Sequence, residues 1–196
     1  QGGEAVKTAL AAGVDGVSRI AALADLIVTP SQFNAGELTQ RYAIDADRIR
    51  VIPLPVALER FAQGVPDPAL VHAYGLTGQR AILYVGRMAG NKRVDLLIEA
   101  MPTVLAVVPN ALLLLVGDDR SNPDFRAVVA ACRERAAALG IGERVSFTGR
   151  VDDLPAHYRL AEVYATASLH EGFGVPLIEA MASGLPVVAA NATAHP

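Results

Sequence analysis

Two glutamates separated by seven residues, Glu171 and Glu179, lie in the stretch Leu169-His-Glu-Gly-Phe-Gly-Val-Pro-Leu-Ile-Glu-Ala-Met-Ala-Ser-Gly-Leu-Pro-Val-Val188. The first falls in a glycine-containing loop and the second in the early turns of a short helical pattern. Pro176 sits near the first helical position and Gly184 just past the last, and a β-type run from Pro186 to Ala190 comes next. A loop running into a helix start leaves N–H groups without intrahelical partners, so this stretch suits a phosphate or another anion. Both carboxylates can face a ligand held there. Two cations, Arg87 and Lys92, follow Gly86 behind an apolar run. Cations beside a helix N-terminus suit a diphosphate, each charge-assisted bond contributing roughly 1.5–3 kcal/mol.

Each of these residues also has a plainer reading. Arg87 and Lys92 can be solvated loop cations, and Glu171 an ordinary loop carboxylate. Glu179 can simply complement the helix dipole, an effect of about 0.3–1 kcal/mol. The pairs Asp118-Asp119 and Asp152-Asp153 read as turn residues and helix caps, and neither forms an Asp-x-Asp metal motif. The four histidines (His72, His157, His170, His195) lack metal-ligand spacing, so no metal is expected. The single cysteine, Cys132, excludes an intrachain disulfide and shares an apolar helical stripe with Phe125, Val128, Val129 and Leu139. It reads as a buried packing thiol.

Composition narrows the function further. With 52% hydrophobic and 19% charged residues, the 196-residue chain can bury a sizeable core and is not of disordered type. A net charge of -3 without a Lys/Arg cluster argues against nucleic acid or an anionic membrane as the main partner. The longest strongly apolar run, Ala111 to Val116, is too short to span a bilayer. The start, Gln1-Gly-Gly-Glu, carries no basic-then-apolar export pattern. Together with the cysteine usage this leads to an expected cytoplasmic location, with any membrane contact peripheral and made outside this part of the protein.

The elements that would position these residues alternate regularly. Ser18 to Asp25 reads as the end of a helix and Leu26 to Thr29 as a strand. Ser31 is a plausible N-cap for a helix reaching about Tyr42, and Arg48 to Leu54 is a short β-type run. Gly64, Pro66, Pro68, Gly75 and Gly78 mark residues 57–77 as an expected linker with at most one short helix. Beyond it, expected strands at 81–85, 111–116, 144–148, 163–167 and 186–190 alternate with helices over about 94–108, 124–139 and 154–161 and the helix after Glu171. The strands lack apolar–polar alternation, as in a parallel sheet covered on both faces. This is the pattern of a doubly wound, Rossmann-like parallel sheet, whose ligands lie at the carboxyl ends of the strands. Gly86 to Lys92, Gly117-Asp118, Gly149-Arg150-Val151 and His170 to Gly174 all fall at that edge.

Neither the G-x-G-x-x-G of dinucleotide enzymes nor the G-x-x-x-x-G-K-[ST] phosphate loop occurs. A glycosidase would need two carboxylates about 5–10 Å apart, which leaves the cationic loop and the Gly-Phe-Gly turn without a purpose. The residues instead resemble a known family. Glu171-Gly-Phe-Gly-Val-Pro-Leu-Ile-Glu179-Ala-Met-Ala-Ser-Gly-Leu-Pro-Val-Val looks like the glutamate signature of family 4 retaining glycosyltransferases of the GT-B fold. Tyr84-Val-Gly-Arg87 with Lys92 resembles their diphosphate-binding element. Leu114-Leu-Val-Gly-Asp118, Val145-Ser-Phe-Thr-Gly-Arg150-Val and Ala24-Asp-Leu-Ile-Val-Thr-Pro-Ser31 are similar to further family segments in the expected order.

The resemblance implies a hexosyltransferase whose C-terminal domain, residues 78–196, holds a UDP-, GDP- or ADP-sugar as substrate, with no cofactor and no metal. Residues 1–56 would be the last strand–helix–strand portion of an N-terminal acceptor domain, joined through the linker 57–77. Arg87 and Lys92, behind Gly86, would hold the diphosphate. Glu171 would contact the transferred sugar, with the backbone of Gly172, Phe173 and Gly174 assisting and Val175 and Leu177 at the helix start beside it. Glu179 would bind the ribose hydroxyls, and Arg150 and Val151 would lie near the base. The catalytic set would be Glu171, Arg87 and Lys92. Family members usually carry Asn-Gly after an Ile-Pro near the linker, where this chain has Leu54-Pro55. The acceptor, a glycan, lipid or small molecule, would be read by the missing N-terminal domain. The 196 residues alone are expected to bind nucleotide weakly and to transfer no sugar. The alternatives are a non-catalytic nucleotide-sugar-binding module and a GT-B-related epimerase or phosphorylase.

Overall fold

The computed structural model describes residues 16–192, so His195 lies outside the described residues. The chain divides into two compact units between Pro55 and Val56. In the first, helix α1 (16–23) precedes strand β1 (Ile27–Thr29), helix α2 (Gln32–Tyr42) and strand β2 (Ile49–Val51). The two strands pair in parallel with Ile27 opposite Ile49. Ser31 caps α2 as expected, its hydroxyl accepting the Asn34 N–H at 3.2 Å. Arg48 donates to the carbonyls of Ala21 and Ala24 at the end of α1, which satisfies acceptors a helix C-terminus leaves open. The small core gathers Ala21, Ile44 and Ile49 with Ile27, Ala35, Leu38 and Tyr42.

The second unit is the α/β sheet. Helix α3 (Pro68–Ala73) leads to strand β3 (Arg80–Val85), helix α4 (Val94–Val107), strand β4 (Ala111–Val116) and helix α5 (Pro123–Ala138). Strand β5 (Val145–Gly149), helix α6 (Leu154–Tyr158), strand β6 (Val163–Thr166), helix α7 (Val175–Ala182) and strand β7 (Val187–Ala189) complete it. All five strands are parallel, in the spatial order β5-β4-β3-β6-β7. The chain therefore fills one side of β3 and then crosses to the other, which makes the β3/β6 boundary the topological switch point.

Both faces of the sheet are buried, and β4 shows why its six apolar residues do not alternate. Ala111, Leu113 and Leu115 join Val94, Ile98 and Met101 of α4 and Phe125, Val129 and Cys132 of α5 on one face. Leu112, Leu114 and Val116 join Tyr158, Leu160, Tyr164 and Ala180 on the other. At about 25 cal/mol per Å² of apolar surface, this two-sided burial is the main force holding the site's scaffold. Cys132 is buried as expected, and burial pushes its thiol up to about 11, so it stays an inert packing group.

Two features bear on the sequence reading, the first as a correction to it. Residues 57–77 form a 3-10 turn (Leu58–Phe61) and helix α3, and Phe61 and Leu76 are buried in the second unit's core with Leu70, Val71 and Tyr74 beside them. Apolar residues spaced among the prolines and glycines pin what composition alone marks as a linker. Helix α4 also runs through Pro102. An interior proline costs about 3 kcal/mol, which the burial of Val94, Ile98 and Met101 offsets.

Candidate functional site

Three glycines set the geometry of the carboxyl edge. Gly117 has φ +147°, and a Cβ there would lie 1.8 Å from the Gly86 carbonyl oxygen. Gly86 in turn has Tyr84 Oη 2.4 Å from where its Cβ would be. Only hydrogens at both positions let the loops after β3 and β4 touch backbone to backbone. The ladder then continues past the strands, with Gly86 N–H donating to Val116 O (2.9 Å), Met88 N–H to Asp118 O (3.0 Å) and Gly117 N–H to Gly149 O (3.0 Å). At the next loop the β4–β5 register skips Thr148, pairing Val116 with Gly149. Such an irregularity re-aims the residues immediately after it, here Arg150 and Val151.

On this edge Lys92 and Glu171 meet across the switch point. Lys92 ends a 3-10 turn (Gly90–Lys92) after β3, and its Nζ lies 2.6 Å from Glu171 Oε1 in the loop after β6. The side chains are only 12% and 17% exposed, so solvent screens the pair less than a surface pair. A backbone bond holds the two loops together, Leu169 N–H donating to the Asn91 carbonyl at 2.8 Å. Arg87 is exposed and makes no ion pair among the described residues. Its carbonyl accepts from Tyr84 Oη (3.1 Å) and the Ala89 N–H (2.8 Å), fixing the backbone and leaving the guanidinium to solvent.

Glu179 has a different setting. It is the fifth residue of α7, beyond the first turn, and only 9% exposed, so it is no surface complement to the helix dipole. Tyr158 Oη lies 2.8 Å from Glu179 Oε2 and 3.0 Å from the Pro176 carbonyl. Burial raises the carboxyl pKa, while the Tyr158 hydrogen bond and the Arg60 charge oppose that rise. Tyr158 packs edge-on against Phe61 (5.5 Å between centroids) and stacks with Tyr164 (6.3 Å). Tyr84, Tyr158 and Tyr164 are all raised by burial. They form a neutral floor beneath the charged edge.

Gly174 opens α7 at φ +80° with no side-chain cap, and Pro176 has no N–H to offer. Leu177 N–H folds back to the Gly174 carbonyl at 3.0 Å, so its amide is engaged inside the first turn. The donors at this helix start are thus fewer than a regular helix of this length would present. Gly172, Phe173 and Val175 are half-buried beside it, and Arg150 is exposed after β5.

The aspartate pairs cap and turn, as expected. Asp118 Oδ1 accepts the N–H groups of Arg120 (3.1 Å) and Ser121 (3.0 Å), and Oδ2 accepts the Ser121 hydroxyl. The Ser121 hydroxyl and these backbone bonds hold its carboxyl below the usual range. Asp153 caps α6 through the Ala156 N–H (3.1 Å). His157 is buried between the Asp153 carbonyl (2.7 Å) and Tyr74 Oη (3.0 Å), a structural role. Among the described residues, no three His, Cys, Asp or Glu side chains are grouped to hold a metal ion, and no helix is long and apolar enough to cross a membrane.

The sequence reading missed Tyr158, Tyr84 and Gly117. A tyrosine 21 residues from its glutamate partner carries no local spacing signal. Tyr84 and Gly117 lie inside segments that were noticed, and only the contact between neighbouring loops reveals their part.

Residues 79–196 match the family model of the group 1 glycosyl transferases. The chain belongs to this family. It is 36% identical over 180 residues to a D-inositol 3-phosphate glycosyltransferase of Segniliparus rotundus, covering 90% of this chain and 39% of that protein. It is 30% identical over 185 residues to a GDP-mannose-dependent alpha-(1-6)-phosphatidylinositol monomannoside mannosyltransferase of Mycobacterium tuberculosis, covering 88% and 45%. Among solved structures, Anabaena Alr3699/HepE in complex with UDP and glucose superposes with a TM-score of 0.77 at 24% identity, covering 87% of this chain and 45% of that one. Sucrose-phosphate synthase of Thermosynechococcus elongatus superposes at 0.68 with 32% identity, covering 86% and 41%. This group 1 glycosyl transferase chain thus spans less than half the length of these relatives. Its five-stranded parallel sheet is a Rossmann-like sheet of the GT-B type.

Proposed function

We propose that the chain is the donor-binding half of a retaining glycosyltransferase. The whole protein would move a hexose-type sugar from a nucleotide-diphosphate-sugar to a glycan, lipid or small-molecule acceptor. The observation that carries this reading is the Lys92–Glu171 contact at 2.6 Å across the β3/β6 boundary. It brings a cation from the Gly86–Lys92 loop and a carboxylate from the Glu171–Gly174 loop to the place where such sheets hold ligands. The relatives named above support it, since one is GDP-mannose-dependent and another was crystallised with UDP and glucose.

In this reading a diphosphate lies between Arg87, Lys92 and the α7 N-terminus. The anomeric carbon–oxygen bond breaks, negative charge grows on the departing diphosphate, and fixed positive charge in a water-poor site stabilises it. That supply of charge makes an added metal unnecessary, so sugar transfer should persist in EDTA. Glu171 meets the transferred sugar and Glu179 the ribose. The acceptor oxygen attacks from the face the diphosphate leaves, and the leaving phosphate takes its proton, which retains the anomeric configuration.

Calorimetric titration of the full-length protein with UDP, GDP and ADP and their common sugars tests this. Saturable binding of one nucleotide is expected, and no binding of any would sink the reading. The 196-residue chain alone should bind the same nucleotide more weakly and transfer no sugar. Measurable transfer by it would refute that division of labour.

A further inference from the structure

Tyr158 lies at the end of the short helix α6, which Asp153 caps. The side chain is fully buried and held by rings on two sides, with Phe61 edge-on and Tyr164 stacked. Its ring is therefore held on two sides by residues from outside α7. From there its hydroxyl reaches two atoms of α7, the Pro176 carbonyl and Glu179 Oε2. We propose that Tyr158 is a positioning residue for the nucleotide site, its hydroxyl clamping Glu179 through Oε2 so that Oε1 is presented to the ribose hydroxyls. This rests on the reading of Glu179 as the ribose contact.

The chemistry of the three groups fits that task. A glutamate on a helix has three side-chain torsions, and freezing them costs up to about 2 kcal/mol of rotamer entropy. A clamp made before nucleotide arrives removes that cost from binding. A ribose presents hydroxyl protons, which an ionised carboxylate accepts well and a protonated carboxyl accepts poorly. Burial works against the ionised form here. A hydroxyl donating to Oε2 favours it. The Pro176 carbonyl gives the arrangement a second resting state. When Glu179 is protonated, its O–H can donate to Tyr158 Oη while the phenol proton turns to Pro176. The Tyr158 hydroxyl keeps a hydrogen-bond partner in both states, as a buried network requires.

A lysine or arginine clamp would hold the carboxylate more tightly, but it would also neutralise the acceptor the ribose needs. A serine could not reach from α6. The tyrosine also stays a proton donor throughout, because burial and the nearby Glu179 carboxylate raise its own pKa.

Tyr158→Phe in the full-length protein keeps the ring packing and removes only the hydroxyl. The reading is the affinity ratio between UDP, GDP or ADP and the corresponding 2′-deoxynucleotide, by calorimetry. The parent should prefer the ribonucleotide. Tyr158→Phe should cut that preference by about fivefold to tenfold, the scale of one ordinary hydrogen bond. Glu179→Gln should cut it comparably, and the double variant should fall no further than Glu179→Gln alone. The acid limb of nucleotide affinity should also move to higher pH in Tyr158→Phe, a shift that loss of packing alone would not produce. Phe61→Leu, which loosens the ring contact and keeps the hydroxyl, should lower stability and cut the ratio less than Tyr158→Phe does.

A Tyr158→Phe protein with the parent's ratio and pH limb, beside a Glu179→Gln protein that has lost the preference, overturns the clamp and spares the ribose reading. A parent without ribose preference, or a Glu179→Gln protein that keeps it, overturns both. Should Tyr158→Phe fail to fold, 3-fluorotyrosine placed at position 158 supplies a stronger donor, and a ratio below the parent's then sinks the proposal.

Discussion

Two glutamates of the same stretch sit in opposite electrostatic settings. Glu171 lies in a loop and meets a full positive charge, Lys92 Nζ at 2.6 Å, from another loop. Glu179 lies on a helix and meets only a neutral hydroxyl, Tyr158 Oη at 2.8 Å, from another helix. The first contact is made between loops, where, in the proposed reading, a diphosphate would compete directly for the lysine. The second is made in the interior, where packing sets the partner's place. Identical side chains eight positions apart are thereby given one adjustable and one fixed environment. In the proposed reading the charge that responds to chemistry would sit on loops, and the group that recognises a constant part of the ligand on packed helices.

The largest way to break this comparison is to disturb the edge both settings share. Gly117→Ala puts a Cβ 1.8 Å from the Gly86 carbonyl oxygen and should cost about 3 kcal/mol or more in denaturant unfolding. A cost below about 1 kcal/mol would mean that the loops move apart freely. Glu171→Ala comes next. In the full-length protein it should lower kcat by about a hundredfold, on the scale of one lost transition-state contact, with donor KM little changed. A rise in KM at constant kcat would make Glu171 an ordinary binding group.

Smaller effects separate the two environments more finely. Lys92→Ala should weaken nucleoside diphosphate binding about tenfold to thirtyfold, and the deficit should shrink as salt is added. A salt-independent deficit would point to lost shape in place of lost charge. The smallest effect concerns stability and pH. Burial raises the Glu179 pKa, so the folded chain holds that proton more tightly than the unfolded chain. Its contribution is fully present below the unfolded value and is lost as pH rises through the folded one. Glu179→Gln cannot ionise, so its stability relative to the parent should improve as the pH rises above the ordinary glutamate value of 4.5. A relative stability that stays flat over that range would show that the carboxyl is not strained by burial.

Much of the scaffold was legible because parallel strands buried on both faces leave an unmistakable mark. The run Ala111 to Val116 and the helix stops at Pro109 and Gly140 place the elements of the second unit within a residue or two, except that α6 ends at Tyr158, three residues early. Of the candidate site, the sequence marked residues by their identity within one loop, as at Lys92 and Glu171, which the structure brings together. It did not mark partners brought in by folding. Tyr158 looks like any core aromatic until α6 is laid against α7. Residues 57–77 misled for the opposite reason, since two prolines and two glycines suggest a linker while Phe61, Leu70, Val71, Tyr74 and Leu76 pack into the core.

The backbone contacts between Gly86, Gly117 and Gly149 have a consequence for inheritance. The spacing of the three loops is written in main-chain hydrogen bonds and in the absence of side chains. The side chain of Arg150, exposed on one of those loops, can consequently change without moving the platform. In the proposed reading, descendants of such a chain could exchange the base they recognise by altering single exposed side chains, while the frame beneath the diphosphate is copied unchanged.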